Sequence, residues 1–98
     1  MSELIPGGLA LVLKAHRPLN VGKCVVTECI LQPEEFVTTP DGMSMHNWAK
    51  QPMWYVTGDI TTEFFSGRIG VGYGLLPAKY LLPINPEKVD EKEVEEVA

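Results

Sequence analysis

Apolar positions along this chain come in short runs, separated by glycines, prolines and polar pairs. Leu9 to Ala15 (LALVLKA) is almost continuously apolar, which predicts a first strand buried on both faces or paired deep in a barrel, and entered from a Pro6-Gly7-Gly8 turn. Arg17 to Gly22 is a polar loop that ends in a glycine. Lys23 to Leu31 is rich in β-branched residues and predicts a second strand. A regular period of two places Val25, Thr27 and Cys29 on one face of it, and Cys24, Val26, Glu28 and Ile30 on the other. Met53 to Ile60 predicts a third strand with Trp54, Val56 and Gly58 on a common face. Further on, Ile69, Val71 and Tyr73 alternate with Gly70, Gly72 and Gly74, the pattern of a strand or hairpin.

Two segments depart from simple alternation. Gln32 to Pro52 carries three prolines and a Pro40-Asp41-Gly42 turn, with Phe36 to Thr39 able to form a strand before that turn. Connections this long are commonly functional or mobile. From Gly74 to Ile84 the chain reads GLLPAKYLLPI: it leaves a strand, turns tightly at Pro77 and enters a last strand that ends at Pro83 and Pro86. Many short strands between frequent turns predict an all-β domain, a small barrel of five or six antiparallel strands over residues 1–86.

The bulk numbers sharpen this. A chain of 98 residues, 45% hydrophobic, supplies one modest core. Residues 87–98 hold six acids against two lysines, and residues 1–86 hold seven acids against six bases. The formal charge of −5 therefore lies mostly in an acidic tail expected to lack fixed structure, beside a nearly neutral body. A neutral body disfavours a nucleic-acid partner, because a phosphate backbone is held by clustered cations. The sequence lacks a basic leader followed by an apolar stretch and has no apolar run of membrane length, so a cytoplasmic protein with no membrane partner is expected.

Candidate chemistry is sparse. Cys24 and Cys29, on opposite faces of a regular strand, are not expected to bridge, and free thiols fit a reducing compartment. No CxxC occurs, His16 and His46 lack ligand partners, and Glu34, Glu35 and Asp41 read as a solvated loop; no metal or cofactor is expected. Gly67 to Gly74 lacks the Lys-Ser/Thr ending of a phosphate loop. With no nucleophile beside an oriented base, no catalytic residue is expected. That leaves aromatics. Trp48 sits in the long excursion, and Trp54, Pro77 and Tyr80 lie at strand starts or turns.

From Met53 to Ile84 the chain resembles the C-terminal half of an SH3-like barrel. Trp54-Tyr55-x-x-Gly58 looks like the aromatic pair that opens the family's third strand. Gly74-Leu75-Leu76-Pro77-Ala78-Lys79-Tyr80-Leu81 is similar to its step through one 3₁₀ turn. The front half resembles the related KOW-type barrels, with Leu9 to Ala15 followed by Asn20-Val21-Gly22-Lys23-Cys24-Val25-Val26. Small barrels of this look also occur among uncharacterised bacterial and phage proteins. The SH3 resemblance implies a non-enzymatic protein-interaction module whose groove falls on Trp54, Pro77 and Tyr80, to which the excursion adds Trp48. The family's remaining groove aromatics have no counterpart, since the first strand lacks tyrosine and is followed by Arg17. The KOW resemblance implies contact with nucleic acid or a transcription or translation complex, through Lys14, Arg17, Lys23 and Lys50. An exposed edge strand would also allow a homodimer.

Overall fold

The computed structural model describes residues 3–84, so the acidic tail expected at 87–98 lies outside the described residues. The described chain is all-β. Its strands are β1 (Gly8–Val12), β2 (Cys24–Leu31), β3 (Phe36–Thr38), β4 (Ser44–His46), β5 (Met53–Glu63), β6 (Ile69–Leu76) and β7 (Leu81–Ile84). Single 3₁₀ turns occupy Pro18–Asn20 and Ala78–Tyr80. Five strands form one antiparallel sheet in the order β6-β5-β2-β1-β7, while β3 and β4 form a separate hairpin.

The predicted barrel does not close. β6 and β7 are the two edges of the sheet, with no ladder between them. The cause is local: β6 ends at Leu76, and Pro77 with the 3₁₀ turn carries the chain away to pair with β1, Val12 opposite Leu81 and Leu9 opposite Ile84. β7 is only four residues long and contains Pro83, which cannot donate to a ladder.

Register assigns the two faces. Trp54 lies opposite Leu76, and Ala10 opposite Val25. With Val12, Val56, Ile60 and Leu81 these residues form the inner cluster, each 7% exposed or less. Full burial of such side chains contributes roughly 1.5–3 kcal/mol apiece, so this cluster dominates stability. Tyr55 lies opposite Leu75 on the other face, where it joins Met45 and Tyr73 in a second cluster.

Two irregularities shape the sheet. Between β2 and β5, Thr27 faces Val56 but Cys29 faces Tyr55, which leaves Glu28 as a bulged residue. The bulge moves Cys29 to the second cluster, so it does not share a face with Val25 and Thr27 as regular alternation predicts. Between β5 and β6, Gly58, Asp59 and Ile60 stand against Gly72 alone. Gly58 takes φ +152° here, and a Cβ would lie 3.0 Å from the Cys24 carbonyl oxygen. Beyond this bend β5 separates from β2, and a side chain replaces the lost ladder. Asn20 Nδ2 donates to Thr61 O (2.8 Å), and Thr61 N donates to Asn20 Oδ1 (3.0 Å).

Asn47 plays the equivalent part at the base of the hairpin. It is fully buried, and its Nδ2 donates to Leu31 O (2.8 Å) and Gln51 O (2.9 Å), while its Oδ1 accepts from Ala49 N (2.9 Å). Its backbone exchanges bonds with Glu34 and Glu35, both 2.8 Å. Asn47→Ala leaves two carbonyls and one amide without partners, a loss expected to cost about 1–3 kcal/mol. A urea unfolding curve checks this: the midpoint falls while the slope is unchanged.

Candidate functional site

The excursion that looked unpatterned in sequence is an ordered hairpin. Phe36 pairs with His46, Val37 with Met45 and Thr38 with Ser44 around the Pro40-Asp41-Gly42 turn. Alternation sends Val37 and Met45 inward to the second cluster and turns Phe36 and His46 outward. Trp48, two residues beyond His46, continues the outward row. The His46 ring stacks on Phe36 at 5.1 Å between centroids and on Trp48 at 4.9 Å, with interplanar angles of 29° and 15°. Phe36 is 57% exposed and Trp48 63%. A continuous three-ring ridge therefore faces solvent, and Asn47, locked between His46 and Trp48, fixes its end.

The turn is fastened to the sheet by polar contacts. Tyr73 Oη donates to Asp41 Oδ2 (2.9 Å), Thr39 Oγ1 donates to the other Asp41 oxygen, and Arg68 Nη2 stands 3.9 Å away. Met43 N donates to Thr39 Oγ1 at 3.0 Å. The phenol of Tyr73 lies across Gly70, where a Cβ would overlap the ring. Phe64 covers the Tyr73 ring from the side, 6.3 Å between centroids. Hydrogen bonds from Thr39 and Tyr73 hold the Asp41 carboxyl below its ordinary range, and burial pushes the Tyr73 phenol above its own.

Beside the ridge runs a groove of about 310 Å³. Its lining includes Trp48, His46, Phe64, Leu75, His16 and Arg17. Arg17 is tied down by Thr61 Oγ1 (2.8 Å from Nε) and Glu63 (3.4 Å from Nη1).

The four aromatic and proline positions singled out in sequence separate. Trp48 stands on the ridge and lines the groove. Trp54 is 6% exposed within the inner cluster and offers no surface to a partner. Pro77 is buried as well. Tyr80 is half-buried, with Lys14 and Lys79 ammonium groups 5.5 and 5.8 Å from its ring centre, and it does not line the groove. Phe36 and His46 join Trp48 instead. The signal for them was the Pro-Asp-Gly turn, about which a hairpin register sets Phe36 opposite His46.

Reactive chemistry is weak among the described residues. No three His, Cys, Asp or Glu side chains converge to hold a metal ion. Burial, then the charges of Glu28 and Glu35, pushes the Cys29 thiol up, against thiolate formation. Among the described residues, no helix is long and apolar enough to cross a membrane. No protein-family model, curated protein or solved structure matches the chain.

The Asp41 clamp sets a pH dependence. Its carboxyl ionises at lower pH in the folded protein than in the unfolded chain, where the value is about 3.9. Its stabilising contribution is therefore complete above that value and is lost as pH falls through the folded one. The Tyr73 phenol, raised in the fold, adds stability that is complete below about pH 10 and is lost above it. In an acid titration followed by amide resonances, Val37 and Met45 should loosen with Asp41 protonation. Asp41→Asn should remove that step.

Proposed function

We propose that this chain is a non-enzymatic protein-interaction module whose contact surface is the Phe36–His46–Trp48 ridge and the groove beside it. The observation that carries the reading is the stack itself. Large aromatics exposed by more than half, held rigid by mutual stacking and a buried asparagine, form the kind of anchor that dominates interface energetics. Preordered rings lose little entropy on binding, so more of the contact energy appears as affinity.

An SH3-like reading of the fold is supported by the order β6-β5-β2-β1-β7 and by the 3₁₀ turn Ala78–Tyr80 that delivers β7 to β1. In this setting the β3–β4 hairpin is an insertion between the second and third strands of the sheet, and it carries the surface. The Pro77–Tyr80 corner is left to packing: Pro77 is buried and Tyr80 packs against the inner cluster. A nucleic-acid partner is the less supported class. Of the four cations that would make such contacts, Arg17 is paired with Glu63 and Lys23 with Asp59 at 3.1 Å.

The test is a random dodecapeptide display library panned on the full-length chain. An enriched peptide should bind Trp48→Ala and Phe36→Ala at least about tenfold more weakly, as loss of a hot-spot ring does. Both variants should unfold within about 0.5 kcal/mol of the parent, because the rings are exposed. Equal binding by parent and variants, or no enrichment, overturns the reading.

A further inference from the structure

The middle ring of the ridge differs in kind from the two beside it. Phe36 stacks on the His46 imidazole at 5.1 Å and Trp48 at 4.9 Å, with interplanar angles of 29° and 15°. Two rings held this close cannot share one face of an imidazole, so each covers one. His46 is half-buried in consequence. Its side chain points outward from the hairpin, so what a partner meets is the distal edge of the ring, which carries Nε2.

A charge on this ring has no counter-ion among the described residues, where no carboxylate forms an ion pair with His46. Glu35 precedes Phe36, but its carboxyl accepts from Gln32 N at 2.6 Å. His46 shares the lining of the groove with His16, Arg17 and Glu63, and the last two are paired with each other. Glu34 and Lys50 line a second depression with Trp48. The two flanking rings, in contrast, suit a cation. Both centroids lie within the roughly 6 Å over which an aromatic face attracts one.

We infer that the exposed edge of His46 binds an Asp or Glu side chain of the protein partner, and binds it more tightly as the imidazole takes up a proton. This rests on the interaction-module reading and names the chemistry of the residue that the ridge receives. A partner that covers Phe36 and Trp48 also covers the ring between them. A polar edge buried in this way is costly unless the partner supplies a hydrogen bond. Once protonated, the imidazole has donors only, so the group that satisfies it is an acceptor. An anionic acceptor gives the shorter and stronger bond, and the described chain brings none of its own. Histidine changes charge between about pH 5 and 8, which makes the contact pH-dependent. The hairpin persists through that range. Hydrogen bonds from Thr39 and Tyr73 hold the Asp41 carboxyl below its ordinary range, so the clamp stays ionised.

The dodecapeptide library, panned on the full-length chain at about pH 5.5, supplies the probe, and its affinity is then measured at about pH 5.5 and 7.5. The enriched peptide should carry an Asp or Glu among apolar residues. Its binding should weaken about tenfold or more at the higher pH, as a charge-assisted hydrogen bond is lost. His46→Phe keeps three stacked rings and should bind the probe equally at both values. His16→Gln should leave the pH dependence intact. Exchanging the peptide's acid for its amide should abolish the dependence without touching the protein fold. A probe that needs Trp48 but carries no acid, or whose pH dependence survives in His46→Phe, overturns the carboxylate contact while the interaction module stands. A probe indifferent to Trp48→Ala, or no enrichment at either pH, overturns both.

Discussion

Three consecutive large residues of β5, Trp54, Tyr55 and Val56, are all buried, and most of the architecture follows from that. Successive side chains of a strand point to opposite faces, so a run of this kind needs apolar cover on both. The curled five-stranded sheet supplies cover on the inside for Trp54 and Val56. Nothing within the sheet can cover Tyr55. The β3–β4 hairpin does so, by laying Met45 and Val37 over Tyr55 and Tyr73. The excursion is thus a structural element first, and its outward face is presented as a consequence.

The same economy explains the bulges. Glu28 is extruded from β2 so that Cys29 can join Tyr55 in the outer cluster, while Thr27 stays opposite Val56. The Gly58–Ile60 bend lets β5 leave β2 and still return Ile60 to the inner cluster. Each departure from regular pairing leaves backbone groups to satisfy. Asn20 and Asn47 do this with amides that imitate main chain, and no buried side-chain polar atom among the described residues lacks a partner.

How much of this was legible depended on whether the signal was local. Period-two runs and proline–glycine turns marked β2, β5 and β6 within a few residues, and the Leu-Pro step marked the corner before β7. Closure was not legible, because whether β6 meets β7 depends on where a 3₁₀ turn aims the chain. The face of Cys29 was misread for a related reason: a bulge is set by the partner strand, and alternation within β2 holds no trace of it. Trp54 and Trp48 look alike as sequence features. Burial separates them, and burial follows from one lying between two paired strands and the other just past a hairpin. The ridge needed cross-strand register, which the Pro-Asp-Gly turn encodes once the flanking residues are read as strands.

Cover and display constrain each other. The hairpin holds its place through inward contacts of Val37 and Met45, the Asp41 clamp and the Asn47 staple, all on the side away from the ridge. Phe36, His46 and Trp48 contribute chiefly stacking to one another. A fold selected for stability alone has no need of aromatic rings on that face, since polar residues there would leave every inward contact intact. Large exposed rings cost solubility and favour aggregation when nothing covers them. The stack of rings on one face of one hairpin is thus a feature that packing of the fold does not require, and it is the feature on which the proposed interaction surface rests.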